Sequence, residues 1–95
     1  MEESTCCAIS EFISVLSNPM RIRILCTLFN GERCVGEIAG EVGLPQAHTS
    51  SHLRVLYDRG YLARRRDGKK VYYAIRDPRI PEFLKGAAGL VADRE

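Results

Sequence analysis

The stretch VGEIAGEVGLPQAHTSSHLRVLYDRGYLARRRDGKKVYYAI, residues 35 to 75, decides how this 95-residue chain folds. Its opening, roughly Val35 to Val42, places Ile38, Ala39 and Val42 on one helical face and stops at Gly43. Only Leu44 and Pro45 intervene before a second periodic stretch, Gln46 to Arg59, in which Thr49, Leu53 and Leu56 face inward and Gly60 ends the run. Two short helices joined by a tight glycine-containing turn are a helix-turn-helix. From Tyr61 to Ile75 aromatic and branched residues flank Asp67-Gly68, the signal of a hairpin with a two-residue turn whose central residues both take positive φ. Together these predict a winged helix-turn-helix, mainly α with a small β-hairpin wing.

The flanks complete that pattern. Upstream, Ile9, Phe12, Ile13 and Leu16 follow helical spacing and predict a first helix ending near Ser17. Asn18-Pro19 is a cap followed by proline at the first helical position, so a second helix runs from Pro19 to about Asn30. It is expected to bury Ile22, Leu25, Cys26 and Phe29, with Gly31 as a left-handed cap. Downstream, Asp77-Pro78 caps a last helix bearing Ile80, Phe83, Leu84, Ala87, Leu90 and Val91, with Pro81 delaying its start. No repeat or linker interrupts the chain, so residues 1–95 read as a single domain.

A chain this short with 45% apolar residues covers them better as two copies, and a homodimer is expected. Its apolar runs are only a few residues long and 27% of the chain is charged, so no membrane span is drawn and the protein is expected to be cytoplasmic. Four cysteines, two of them adjacent and none behind a secretory segment, read as reduced thiols rather than a disulfide framework.

The net charge of +2 hides an asymmetry. Residues 1 to 45 hold three arginines against six glutamates, whereas residues 46 to 79 hold nine Lys or Arg against three Asp. The basic segment is the second helix of the helix-turn-helix plus the wing. That helix offers Gln46, His48, Ser50, Ser51, His52 and Arg54, side chains suited to base edges in a major groove or to phosphate. The hairpin offers Arg64, Arg65, Arg66, Lys69 and Lys70 to phosphates. Double-stranded operator DNA is the expected partner. His48 and His52 stand at i and i+4 but lack the acidic or thiol companions of a zinc site. No nucleophile, base and orienting group can be assembled from them, so the chain is not expected to be an enzyme.

NPMRIRILCTL at residues 18–28, with ERCVGEIAGEVGLPQAHTSSHLRVLYDRGYLARRRDGKKVYYAI at residues 32–75, resembles the ArsR/SmtB family of bacterial winged-helix repressors over nearly the whole chain. Pro45 stands where a capping Ser or Thr is common in that family. The resemblance implies a homodimer paired through the first and last helices, bound to an operator until an inducer releases it. Residues 79 to 95 contain no histidine, so the nitrogen and oxygen site of zinc, nickel and cobalt sensors is not expected, and thiols are the ligands left. Thiolates favour soft ions. In arsenite-sensing members a Cys-Val-Cys pattern opens the third helix; ERCVGEI matches its first thiol with Cys34 and has Gly36 in place of the second. By resemblance to sensors that add a vicinal N-terminal pair, Cys6 and Cys7 are expected to complete a trithiolate site with Cys34. The expected inducer is As(III) or Sb(III), or another thiophilic ion, with no obligatory cofactor. Alternatives are a Cd(II)/Pb(II) sensor and a redox or reactive-sulfur sensor. Cys34 is expected to be reactive beside Arg33 at a helix N-terminus, and Cys26 to be core.

Overall fold

The computed structural model describes residues 1–94. Five helices and a small antiparallel sheet alternate as α1 (Glu3–Leu16), α2 (Pro19–Thr27), β1 (Arg33–Cys34), α3 (Val35–Val42), α4 (Gln46–Asp58), β2 (Leu62–Asp67), β3 (Lys70–Ile75) and α5 (Arg79–Arg94). The expected winged helix-turn-helix is present. Asn18 caps α2 as its sequence suggests, its side-chain oxygen accepting from the N–H groups of Met20 at 2.9 Å and Arg21 at 3.4 Å. Gly43 closes α3 in the left-handed conformation, φ +71°, which allows the sharp turn into α4.

The core lies where α2, α3 and α4 meet under the sheet. Ile24, Leu25, Ile38, Leu53 and Leu56 are fully buried there, joined by Leu62 and Tyr73 from the wing and Ile80 from α5. Tyr61 seats the outer helices on it. Its hydroxyl donates to the Phe12 carbonyl at 2.9 Å, and the Phe12 ring contacts both Tyr61 and Phe83.

Several expectations are corrected. A third strand, β1, pairs with β3 in the register Arg33↔Tyr73 and Cys34↔Tyr72, giving the sheet order β1-β3-β2. Cys34 is therefore a strand residue that also caps α3. The hairpin turn is Gly68-Lys69, because Asp67 pairs with Lys70. Only Gly68 takes positive φ (+61°), which fits a turn with glycine at its first central position and spares Lys69 the strain of a left-handed backbone. α2 ends at Thr27, short of Asn30. Pro81 does not delay α5; it sits in the first turn, where proline is tolerated.

The inward face of α2 also differs. Ile24, Leu25 and Leu28 are buried, whereas Ile22 and Cys26 are exposed. Neighbouring helix positions are about 100° apart, so committing Leu25 to the core swings Cys26 toward α5. There Cys26 lines an apolar groove of about 280 Å³ with Ile22, Phe29, Leu84 and Val91. The thiol is pushed up in pKa by that apolar surrounding although the residue as a whole is exposed. Ile9, Ile13, Phe83, Leu90 and Val91 remain uncovered on α1 and α5.

Candidate nucleic-acid interface

α4 begins without a side-chain cap. The Pro45 carbonyl accepts the first bond of the helix ladder, from the N–H of Thr49 at 3.0 Å, and also the Thr49 hydroxyl at 3.2 Å, and Thr49 is fully buried. With Thr49, Leu53 and Leu56 inward, Gln46, His48, Ser50, Ser51 and Arg54 are left on the open face. His52 is turned aside: it is half-buried, and its Nδ1 accepts from Nε of Arg21 at 3.3 Å.

Strand alternation sorts the wing arginines. Arg64 and Arg66 line a cleft of about 630 Å³ together with Ser50, Arg54 and Tyr57 of α4 and Tyr73 of β3. The Arg64 guanidinium lies 4.0 Å above the Tyr57 ring, which orients it along the cleft. Arg65 points the other way. It stacks on Tyr72, pairs with the Glu32 carboxylate and lies 3.9 Å from Asp67. The five basic residues around the wing tip are thus not equivalent. Arg54, Arg64, Arg66, Lys69 and Lys70 have no carboxylate partner among the described residues, while Arg65 is largely neutralised. A groove of this shape, basic along the strand and polar along the helix, can straddle a duplex backbone while α4 reaches base edges.

The three arginines before residue 46 do other work. Arg21 donates to the Val15 carbonyl at 3.1 Å, Arg23 to the Val42 carbonyl at 3.1 Å, and Arg33 to the Thr27 carbonyl at 2.9 Å. Each satisfies a carbonyl at the C-terminal end of a helix, where a cation is favoured. Composition alone carried no sign of this, nor of Tyr57 and Tyr73 as cleft walls.

Cys34 borders a second cleft, about 370 Å³, with Gly36, Gln46, Ser50, Lys69 and Lys70. Arg33 does not attend its thiol, because that guanidinium is held by Thr27 and, at 3.0 Å, by Glu41. The group beside Cys34 is the Glu37 carboxylate, which accepts the Cys34 N–H at 3.1 Å and is held below the usual carboxylate range mainly by that bond. Cys6 and Cys7 are exposed near the start of α1. Among the described residues no three His, Cys, Asp or Glu side chains gather closely enough to hold a metal ion. Cys6, Cys7 and Cys34, expected to form a trithiolate, are thus not gathered within one chain among the described residues. No helix among the described residues is long and apolar enough to cross a membrane.

Known proteins are similar in sequence and fold. The family model described as "Bacterial regulatory protein, arsR family" matches residues 18–64, from the cap of α2 into the wing. Over 84 residues the chain is 38% identical to the "Probable mercury resistance operon repressor" of Streptomyces lividans, covering 88% of this chain and 67% of that protein. The crystal structure of Rv0081 from Mycobacterium tuberculosis superposes with a TM-score of 0.85 at 39% identity, over 97% of this chain and 93% of that one. The crystal structure of the AntR antimony-specific transcriptional repressor superposes with a TM-score of 0.87 at 29% identity, over 98% and 85%.

Proposed function

The chain belongs to the ArsR/SmtB family of transcriptional repressors and is not an enzyme, and from that premise we propose that it acts as a homodimer on operator DNA and is released by a thiophilic inducer, As(III) first. The observation that carries the DNA reading is the cleft in which Ser50 and Arg54 of α4 face Arg64 and Arg66 of the wing. Uncovered Ile9 and Ile13 on α1 and Phe83, Leu90 and Val91 on α5 support pairing through those helices, which sets two reading heads for major grooves about 34 Å apart.

The inducer reading rests on the donors. Sulfur suits soft ions, and two similar proteins carry names that point to mercury and antimony. Because one chain holds Cys6 and Cys7 apart from Cys34, the site is completed across the dimer: two thiols from one protomer and one from its partner. Three thiols exchange for the three hydroxides of arsenous acid, each thiol proton leaving in a water molecule. Cys34 shares its cleft with Gln46, Ser50, Lys69 and Lys70. Occupancy there crowds the space a phosphate would take at the two lysines, so inducer and operator weaken each other by the same factor.

The test is a release titration of labelled operator under thiol reductant, comparing arsenite, antimonite, cadmium, lead and, without reductant, peroxide or polysulfide. Release by arsenite or antimonite, lost when Cys6, Cys7 and Cys34 are all changed to Ser, is expected. Release by the oxidant alone would replace this reading with a redox sensor.

A further inference from the structure

Arg21 occupies a junction whose part goes beyond satisfying the Val15 carbonyl. Its backbone N–H is held by the Asn18 cap at the start of α2. Its Nη1 donates to the Val15 carbonyl in the last turn of α1 at 3.1 Å, and its Nε donates to Nδ1 of His52 in the middle of α4 at 3.3 Å. One guanidinium therefore joins three helices, and its two side-chain bonds lie in partly buried surroundings. Apolar residues of both helices, Ile24, Leu25, Leu53 and Leu56 among them, pack in the shared core. Apolar packing is non-directional and tolerates rotation of one helix against another, whereas a hydrogen bond fixes an angle.

We propose that Arg21 is a positioning residue for operator binding, one that holds His52 against the end of α1 and so sets the angle at which α4 presents Gln46, Ser50 and Arg54. His52 serves as the acceptor in this bond rather than as a group that touches DNA. The inference rests on the operator-binding reading and goes further, since it connects the reading helix to α1, which carries Cys6 and Cys7.

Accepting at Nδ1 requires a neutral imidazole with its proton on Nε2. The groups facing His52 are Arg21 from α2 and His48 one turn earlier on α4. Burial first, then these two, hold its pKa below the ordinary histidine value, so the neutral form persists at pH 7. Protonation would turn Nδ1 into a second donor facing a guanidinium, and the bond would open.

The test measures operator affinity, its salt dependence and thermal unfolding for Arg21→Met, His52→Ala, the two combined, and His52→Asn. Asparagine places an acceptor oxygen near the position of Nδ1 and does not titrate. Arg21→Met and His52→Ala should each weaken operator binding roughly tenfold, with the salt slope unchanged because no phosphate contact is lost. The combination should be no worse than either alone. His52→Asn should bind like the unaltered protein and, in a His48→Gln background, should lose any decline that sets in as the pH falls below the ordinary histidine value of about 6.5. Additive losses, or His52→Asn as weak as His52→Ala, would overturn the proposal by pointing to direct contact through Nε2. If Arg21→Met fails to fold, the His52→Asn against His52→Ala comparison still decides. Failure of the unaltered protein to bind any duplex would refute the operator reading instead, and is a separate result.

Discussion

Removing Arg66 should change DNA binding in a way that removing Arg65 together with its partner does not. Arg66 lines one cleft between α4 and the wing with Arg54 and Arg64, Lys69 and Lys70 line the neighbouring one beside Cys34, and none of the five has a carboxylate partner among the described residues. Five such cations per head make ten per dimer, so the slope of log affinity against log salt should be about −9 for duplex DNA. Arg66→Ala takes one cation from each head and should bring the slope to about −7, with an affinity loss of tens of fold near 0.1 M salt. Arg65 is already balanced by Glu32. Replacing both, Arg65→Ala with Glu32→Ala, removes one charge of each sign and should leave the slope within about 0.5 of its starting value. The assay is fluorescence anisotropy of a labelled operator duplex at a series of salt concentrations. Equal losses of slope for the two variants would refute the division of the wing arginines by strand face.

Three further outcomes follow from named contacts. Asn18→Ala removes the acceptor for Met20 and Arg21 and should cost about 1 kcal/mol in chemical denaturation, lowering the melting temperature by roughly 4–8 °C. Leu90→Glu places a charge on the uncovered face of α5; sedimentation should show at least about a tenfold weaker dimer, and a dimer unaffected by it would move the interface elsewhere. Asp77 is held at about 2, below the ordinary aspartate value, chiefly by the Arg79 side chain. A carboxylate with a depressed folded pKa stabilises above its unfolded value of about 3.8 and loses that contribution as pH falls toward 2. Unfolding midpoints across that window should therefore drop more steeply for the unaltered protein than for Asp77→Asn.

The reading unit was legible because its signals are local. Periodicity at Ile38, Ala39 and Val42, a stop at Gly43, and renewed periodicity through Thr49, Leu53 and Leu56 are facts of short range, and the structure keeps each. β1 was not legible, since two residues make a strand only when Tyr72 and Tyr73 arrive from far along the chain. The same holds for Cys26: its apolar spacing fits two helix faces equally, and tertiary packing gave the core to Leu25 and Leu28. The split between Arg65 and its neighbours was present in principle, because strand residues alternate, but the partner Glu32 comes from the β1 side of the sheet. The thiols show the limit most plainly. A family pattern suggested that Cys6, Cys7 and Cys34 act together, yet a single chain does not gather them.

The most direct measurement of the account is therefore a complementation between two inactive proteins. One chain carries Cys34→Ser and the other Cys6→Ser with Cys7→Ser, and the two are refolded together so that mixed dimers form. Arsenite binding and operator release are then measured for each parent and for the mixture. The account predicts that neither parent binds arsenite through three sulfurs or leaves the operator, and that the mixture regains both, because a mixed dimer rebuilds one complete site across the interface. A mixture as silent as its parents, while the unaltered protein responds, would contradict it.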